Sequence, residues 1–166
     1  FEGSETIITD GEEAFEIQES SATSESGIGI YVNKKNTGLA ALKGAKFEVA
    51  PVSVDGDGSV IITGGEPQLD APITGSPFET DEQGKTFFGE LQTNVVYCFT
   101  EIKAPDGYVL DGSRNYFVVV KGVDATRDAN IAAIEAAGYE CQTYQSGAAI
   151  TVYNSKATIK VTKEFT

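Results

Sequence analysis

The sequence predicts an all-β sandwich carrying one short inserted helix. Three observations lead there. Short segments alternate apolar and polar residues, the period of a half-buried strand. Turn residues separate them at regular intervals. The chain of 166 residues is long enough for one good core or two small ones.

In chain order, "SETIITD" and "EAFEIQE" read as two short strands around the turn "DGEE". "ESSATSES" (19–26) is small, polar and aperiodic, which is linker composition. "GIGIYVNK" (27–34) alternates cleanly. "AKFEVAPV" (45–52) and "GSVIIT" (58–63) flank the turn-rich "SVDGDG". A Gly- and Pro-containing loop runs from Gly64 to about Gln83. "KTFFGEL" (85–91), "NVVYCFTEI" (94–102), "NYFVVV" (115–120) and "AAITVYN" (148–154) complete the strands. Between the last two, "DATRDANIAAIEAAG" (124–138) is Ala-rich, with Ile131 and Ile134 at helical spacing. Asp124 is placed to cap its start and Gly138 its end.

Composition removes several kinds of chemistry. Asp and Glu number 25 against 12 Lys and Arg, a net charge of −13. Such a surface repels phosphate backbones and anionic lipid, so neither nucleic acid nor a membrane is an expected partner. The chain holds no His, Met or Trp. Without His there is no serine-triad or papain-like centre and no His-based zinc site. No cofactor and no metal are expected; "DGDG" (55–58) lacks the further acidic ligands of a calcium loop and reads as a turn. No convergent pair of carboxylates stands out for a glycosidase. No apolar run approaches the roughly 20 residues of a membrane span. Cys98 and Cys141 are too few for a disulfide framework. In an exported protein they are expected to form one disulfide, which would pin the helical insertion to its neighbouring strand; in a reducing compartment they would stay thiols.

Three strands end alike. Ile30 and Val32 share a face whose next residue is Lys34. Tyr97 and Phe99 share one whose next residue is Glu101, and Ile150 and Val152 one whose next is Asn154. Burying an amine, an acid or an amide alone would cost several kcal/mol, roughly, whereas the three together can satisfy one another. Burial favours the uncharged amine, a nucleophile, and the protonated carboxyl, a proton donor. The amide carbonyl is an electrophile once polarised. These are the parts of a Lys–Asn isopeptide bond formed with loss of ammonia. Periodicity equally permits three strands that simply end in water.

"LKGAKFEV" (42–49), "TDEQGKTFFGEL" (80–91), "TEIKAPDGYVLD" (100–111) and "VYNSK" (152–156) occur in one order. Together they resemble the CnaB-type, prealbumin-like domain of Gram-positive pilins and surface adhesins, over about residues 27–156. The resemblance implies that Lys34 and Asn154 are bonded and that Glu101 is the proton shuttle. It implies a β-sandwich of the prealbumin type, a location on the cell wall or pilus surface, and neighbouring modules of the same protein as partners. The sequence departs from the family in carrying Asn36 where Asp is frequent, in a second lysine at Lys35, and in the helical insertion.

The expected division is residues 1–26 as strands and linker closing a preceding module, 27–156 as the CnaB-type domain, and 157–166 as a strand opening a following one. "ATIKVTKEFT" repeats the opening pattern, with Ile159, Val161 and Lys163 on one face. Alternatively, these two end segments pair with each other or extend the central sandwich. The expected function is a structural module of a pilin or adhesin stalk that modifies itself once and has no turnover. The alternative is a ligand-binding adhesin domain, with the 64–83 loop and the helix recognising a host protein or glycan.

Overall fold

The computed structural model describes residues 16–20 and 28–154. "SETIITD", most of the linker, and 157–166 with Lys163 therefore lie outside the described residues.

Two sheets face each other across one core. The first has the order β1 (Glu16–Ser20), β11 (Ala149–Asn154), β2 (Ile30–Asn36), β7 (Lys85–Phe88). The second has the order β10 (Cys141–Tyr144), β9 (Asn115–Val119), β8 (Val96–Lys103), β3 (Lys46–Pro51), β6 (Phe78–Glu79). Strands β4 (Ile62–Thr63) and β5 (Glu66–Pro67) form a small separate hairpin. Ile30, Val32, Ile150, Val152 and Phe88 from the first sheet meet Phe47, Val49, Phe99 and Phe117 from the second. Phe47 packs edge-on against Phe88 and Phe99, at centroid distances of 5.8 and 5.9 Å, a favoured aromatic geometry.

The first and last strands of the sandwich lie side by side. β11 runs parallel to β2, with Ile150 opposite Val32 and Val152 opposite Lys34. On its other side β1 pairs antiparallel with β11, Glu16 opposite Tyr153 and Ser20 opposite Ala149. Segment 16–20 thus extends this sheet, although its last residues had read as linker.

The second sheet has a further layer on its outer face. Helix α1 (Ala125–Ala136) follows β9, and β10 returns parallel to β9. Asp124 caps the helix by accepting the Arg127 N–H at 2.8 Å. Its buried Ile134 joins Val52, Val96, Cys98, Tyr116, Val118 and Cys141 in a second apolar cluster. Asn130 fastens the helix to the turn at 55–58, accepting the Val60 N–H at 3.0 Å and donating to the Gly58 carbonyl at 2.9 Å. That turn is an Asx turn, in which Asp55 accepts the N–H groups of Asp57 and Ser59.

The expected disulfide is not formed. Cys98 and Cys141 are free, buried thiols. Both sit opposite Tyr116, one on each side of β9. Two strand spacings put their Cα atoms about 10 Å apart, beyond the roughly 7 Å a disulfide spans. Packing and the Asn130 hydrogen bonds seat the helix here. Burial pushes the Cys141 thiol up to about 12 and also raises that of Cys98.

Candidate functional site

Lys34 lies at the end of the β2 stripe, and its burial follows from phase. β2 alternates buried and half-buried residues through Lys34, so Lys34 points inward with Ile30 and Val32 while Lys35 does not. The backbone holds this position from both sides. The Lys34 N–H donates to the Gly84 carbonyl at 2.7 Å, and the Lys34 carbonyl accepts the Leu42 N–H at 2.9 Å. Gly84 has φ +74°, and a Cβ there would stand 2.7 Å from the Lys34 carbonyl oxygen. Only glycine fits both conditions.

Glu101 comes from the opposite sheet. It follows Tyr97 and Phe99 on the inner face of β8, opposite Phe47 in the β3–β8 register. Lys34 Nζ and Glu101 Oε2 meet at 2.9 Å across the sandwich, both side chains fully shielded from solvent. The Asp111 N–H donates to Glu101 Oε1 at 3.4 Å. The amine also stands 5.8 Å from the centroid of the Phe47 ring. Burial lowers Lys34 from 10.5 to about 8, despite the opposing pull of the Glu101 charge and hydrogen bond and of Asp111.

Asn154 is the last described residue of β11. In register it lies opposite Asn36 and two residues past Val152, the partner of Lys34. The structure therefore joins Lys34 and Glu101 directly, and sets Asn154 on the strand beside Lys34, one side-chain repeat further along.

Sequence reasoning passed over two contributors. Asn36 Nδ2 donates to the Tyr108 hydroxyl at 3.0 Å, linking the end of β2 to the "APDGY" turn. Asp111 supplies the amide on Glu101. The only sequence signal for either was proximity to a quoted motif.

The 64–83 loop and α1, the elements of the alternative reading, do meet around a hollow of about 500 Å³ whose walls include Asp70, Ile73, Asp124 and Asn130. Several of its polar groups are engaged internally. Asp70 accepts the Ser53 hydroxyl, Asp124 caps the helix, and Asn94 binds Lys121 and Arg127. Among the described residues no group of three or more Cys, Asp or Glu side chains is arranged to hold a metal. No described helix is long and apolar enough to cross a membrane.

No curated protein matches the sequence. Among solved structures the chain is similar to the group B streptococcus pilus 2b backbone protein, with 17% identity, TM-score 0.46, and coverage of 80% of this chain and 42% of that one. It is similar to the major pilin SpaD of Corynebacterium diphtheriae, with 18% identity, TM-score 0.47, and coverage of 78% and 30%. It is also similar to the shaft pilin SpaA of Lactobacillus rhamnosus GG, with 15% identity, TM-score 0.44, and coverage of 82% and 50%. The chain thus spans half or less of each. A family model described as the SpaA prealbumin-like fold domain matches residues 28–132, a stretch that includes Lys34 and Glu101 and stops short of Asn154. With well over half of its residues in that match, and with the two-sheet sandwich just described, this chain belongs to the SpaA prealbumin-like fold domain family.

Proposed function

We propose that the chain is a load-bearing module of a Gram-positive pilin or adhesin stalk, locked by an isopeptide bond that it forms itself between Lys34 and Asn154. The observation that carries this is the fully buried 2.9 Å contact between Lys34 and Glu101, which spans the two sheets beside the strand of Asn154. A buried lysine–carboxylate pair is an expensive way to stabilise a core, since apolar residues of like size often do as well or better. As a reactive pair it has a use. Lys34 and Glu101 hold one proton between them, either as ammonium and carboxylate or as amine and carboxylic acid. Its transfer across the contact makes the nucleophile and the acid in one move.

The Lys34 amine then attacks the Asn154 side-chain carbonyl carbon, while Glu101 protonates that carbonyl oxygen. As the intermediate collapses, Glu101 carries a proton from Nζ to the departing nitrogen, and the hydroxyl proton returns to Glu101 as the carbonyl re-forms. One N–C bond replaces another, and ammonia leaves. The aromatic surroundings, Phe47, Phe88 and Phe99, all fully buried or nearly so, keep water from competing. The product is a single self-modification, with no turnover. The bond would close a long loop of chain, stabilising the fold by about 4 kcal/mol if it acts as a disulfide over a similar loop does.

Intact mass tests the proposal. The purified chain is expected to weigh one ammonia less than its sequence, and Lys34→Ala and Asn154→Ala to keep full mass. Glu101→Gln is expected to fold yet stay at full mass, because an amide preserves the shape without shuttling the proton. Full mass in the unaltered chain would sink the proposal. A ligand-binding role for the hollow beside α1 is the weaker reading, because Asp70, Asn94, Asp124 and Asn130 in its lining already serve internal hydrogen bonds.

A further inference from the structure

Beyond β8 the chain turns back over the Lys34–Glu101 pair. Tyr108 N–H bonds the Pro105 carbonyl at 3.0 Å, and Gly107 takes φ +85°. Three residues on, Asp111 places its N–H on Glu101. One bond that holds the return is the 3.0 Å contact in which Asn36 Nδ2 donates to the Tyr108 hydroxyl. Asn36 is itself held in a local turn, its side-chain oxygen accepting the Ala40 N–H at 2.9 Å and its N–H bonding the Ala40 carbonyl at 3.0 Å. It ends β2, two residues after Lys34, on the rung opposite Asn154. Outside the bond lies an open hollow of about 440 Å³, with Leu42, Lys103, Pro105 and Tyr108 in its walls. Tyr108 thus stands between bulk water and the strand ends that bring the reactive groups together.

We propose that Asn36 and Tyr108 are positioning residues of the crosslinking reaction, whose hydrogen bond clasps the 105–111 return over Lys34 and Glu101, fixes the Asp111 amide on the Glu101 carboxyl, and shuts water out. This rests on the isopeptide reading above. Both act through Glu101 and through the dryness of the site. A tyrosine is needed because the bond closes on its hydroxyl, and Phe would keep the ring in the wall while releasing the catch.

The charged groups that face Lys34 are Glu101 from β8 and Asp111 from the loop after it, and both favour the ammonium. Burial is the one influence that opposes them. Opening the clasp admits water and weakens that influence, so the ammonium–carboxylate form gains on the reactive amine and carboxylic acid, and the proton the pair shares is lost only at higher pH.

The test is to refold the full chain from denaturant across a range of pH and follow ammonia loss by intact mass. Tyr108→Phe is expected to form the bond about fivefold more slowly, the effect of one ordinary hydrogen bond, with the pH of half-maximal rate moved upward. Asn36→Ala, which also loses the Ala40 contact, is expected to be at least as slow. The double variant should be no slower than Asn36→Ala, since the two residues share one bond. Thermal unfolding confirms that each variant has folded. Wild-type rates in Tyr108→Phe, or a uniform slowing with an unmoved pH midpoint, would overturn the clasp. A wild-type chain that never loses ammonia fails the crosslink itself and takes the clasp's reactive role with it, and the wild-type mass alone separates that failure from the others.

Discussion

At the scale of single residues, Lys34 controls how the uncrosslinked chain responds to pH. In Asn154→Ala the amine has nothing to react with and remains titratable. Its folded value of about 8 lies below the unfolded 10.5. Between those values the unfolded chain binds more protons, so stability rises as pH climbs from about 8 to 10.5. Below about 8 the cost of burying the ammonium is fully present and constant. The gain across the window is expected to be on the order of a few kcal/mol, read as a rising urea midpoint. In the crosslinked chain the same nitrogen is an amide without charge, so that part of the rise should be missing. Identical pH profiles for the two chains would show that Lys34 is not what titrates.

At the scale of elements, legibility followed the period. β2 alternates and β3 nearly so, β8 and β9 are apolar runs buried on both faces, and these strands and β11 each emerged within a few residues of the expected place. The phase that buries Ile30 and Val32 also chose Lys34 over Lys35. β10 was missed because Cys141 and Tyr144 are buried with two exposed residues between them, which is not a strand period. β4, β5 and β6 are two residues each, too short to show any. The disulfide was misjudged because residue types carry no register, and register is what sets Cys98 and Cys141 on opposite sides of β9. Asn36–Tyr108 and Asn130–Val60 join residues 72 and 70 positions apart, beyond the reach of any local pattern. Asn130 carries a prediction at this scale. Asn130→Ala strands the Val60 N–H and the Gly58 carbonyl, and is expected to cost about 1–3 kcal/mol and to loosen hydrogen exchange in α1 and the 55–60 turn. Ammonia loss should be untouched, because the helix layer lies on the far side of the second sheet. A slower crosslink in this variant would mean that the two layers are coupled.

At the scale of the whole molecule, the core has two chemically different halves. One cluster, between the sheets, is aromatic and ends in the Lys34–Glu101 pair. The other, under α1, holds two inert thiols among Val52, Val96, Val118, Ile134 and the Tyr116 ring. The net charge of −13 favours solubility at some cost in self-repulsion. The mass, clasp and pH tests address the first half, and the Asn130 test addresses the second.

The direction of β1 has a consequence for tension. Because β1 is antiparallel to β11, Glu16 sits beside Tyr153, and the chain enters and leaves the sheet at the same pole. Pulling these two points apart opens the β1–β11 ladder as a zipper, one rung at a time, which takes little force. The load next reaches Ile30 and Asn154, at opposite ends of a parallel pair, where every rung must shear together and an amide from Lys34 would hold absolutely. Single-molecule stretching should record a short, low-force, reversible extension followed by a stop. An abrupt stop with no such extension would show that β1 does not unzip. With it, the module is a buffer in series with a lock, giving a little under a sudden tug before it refuses to give further.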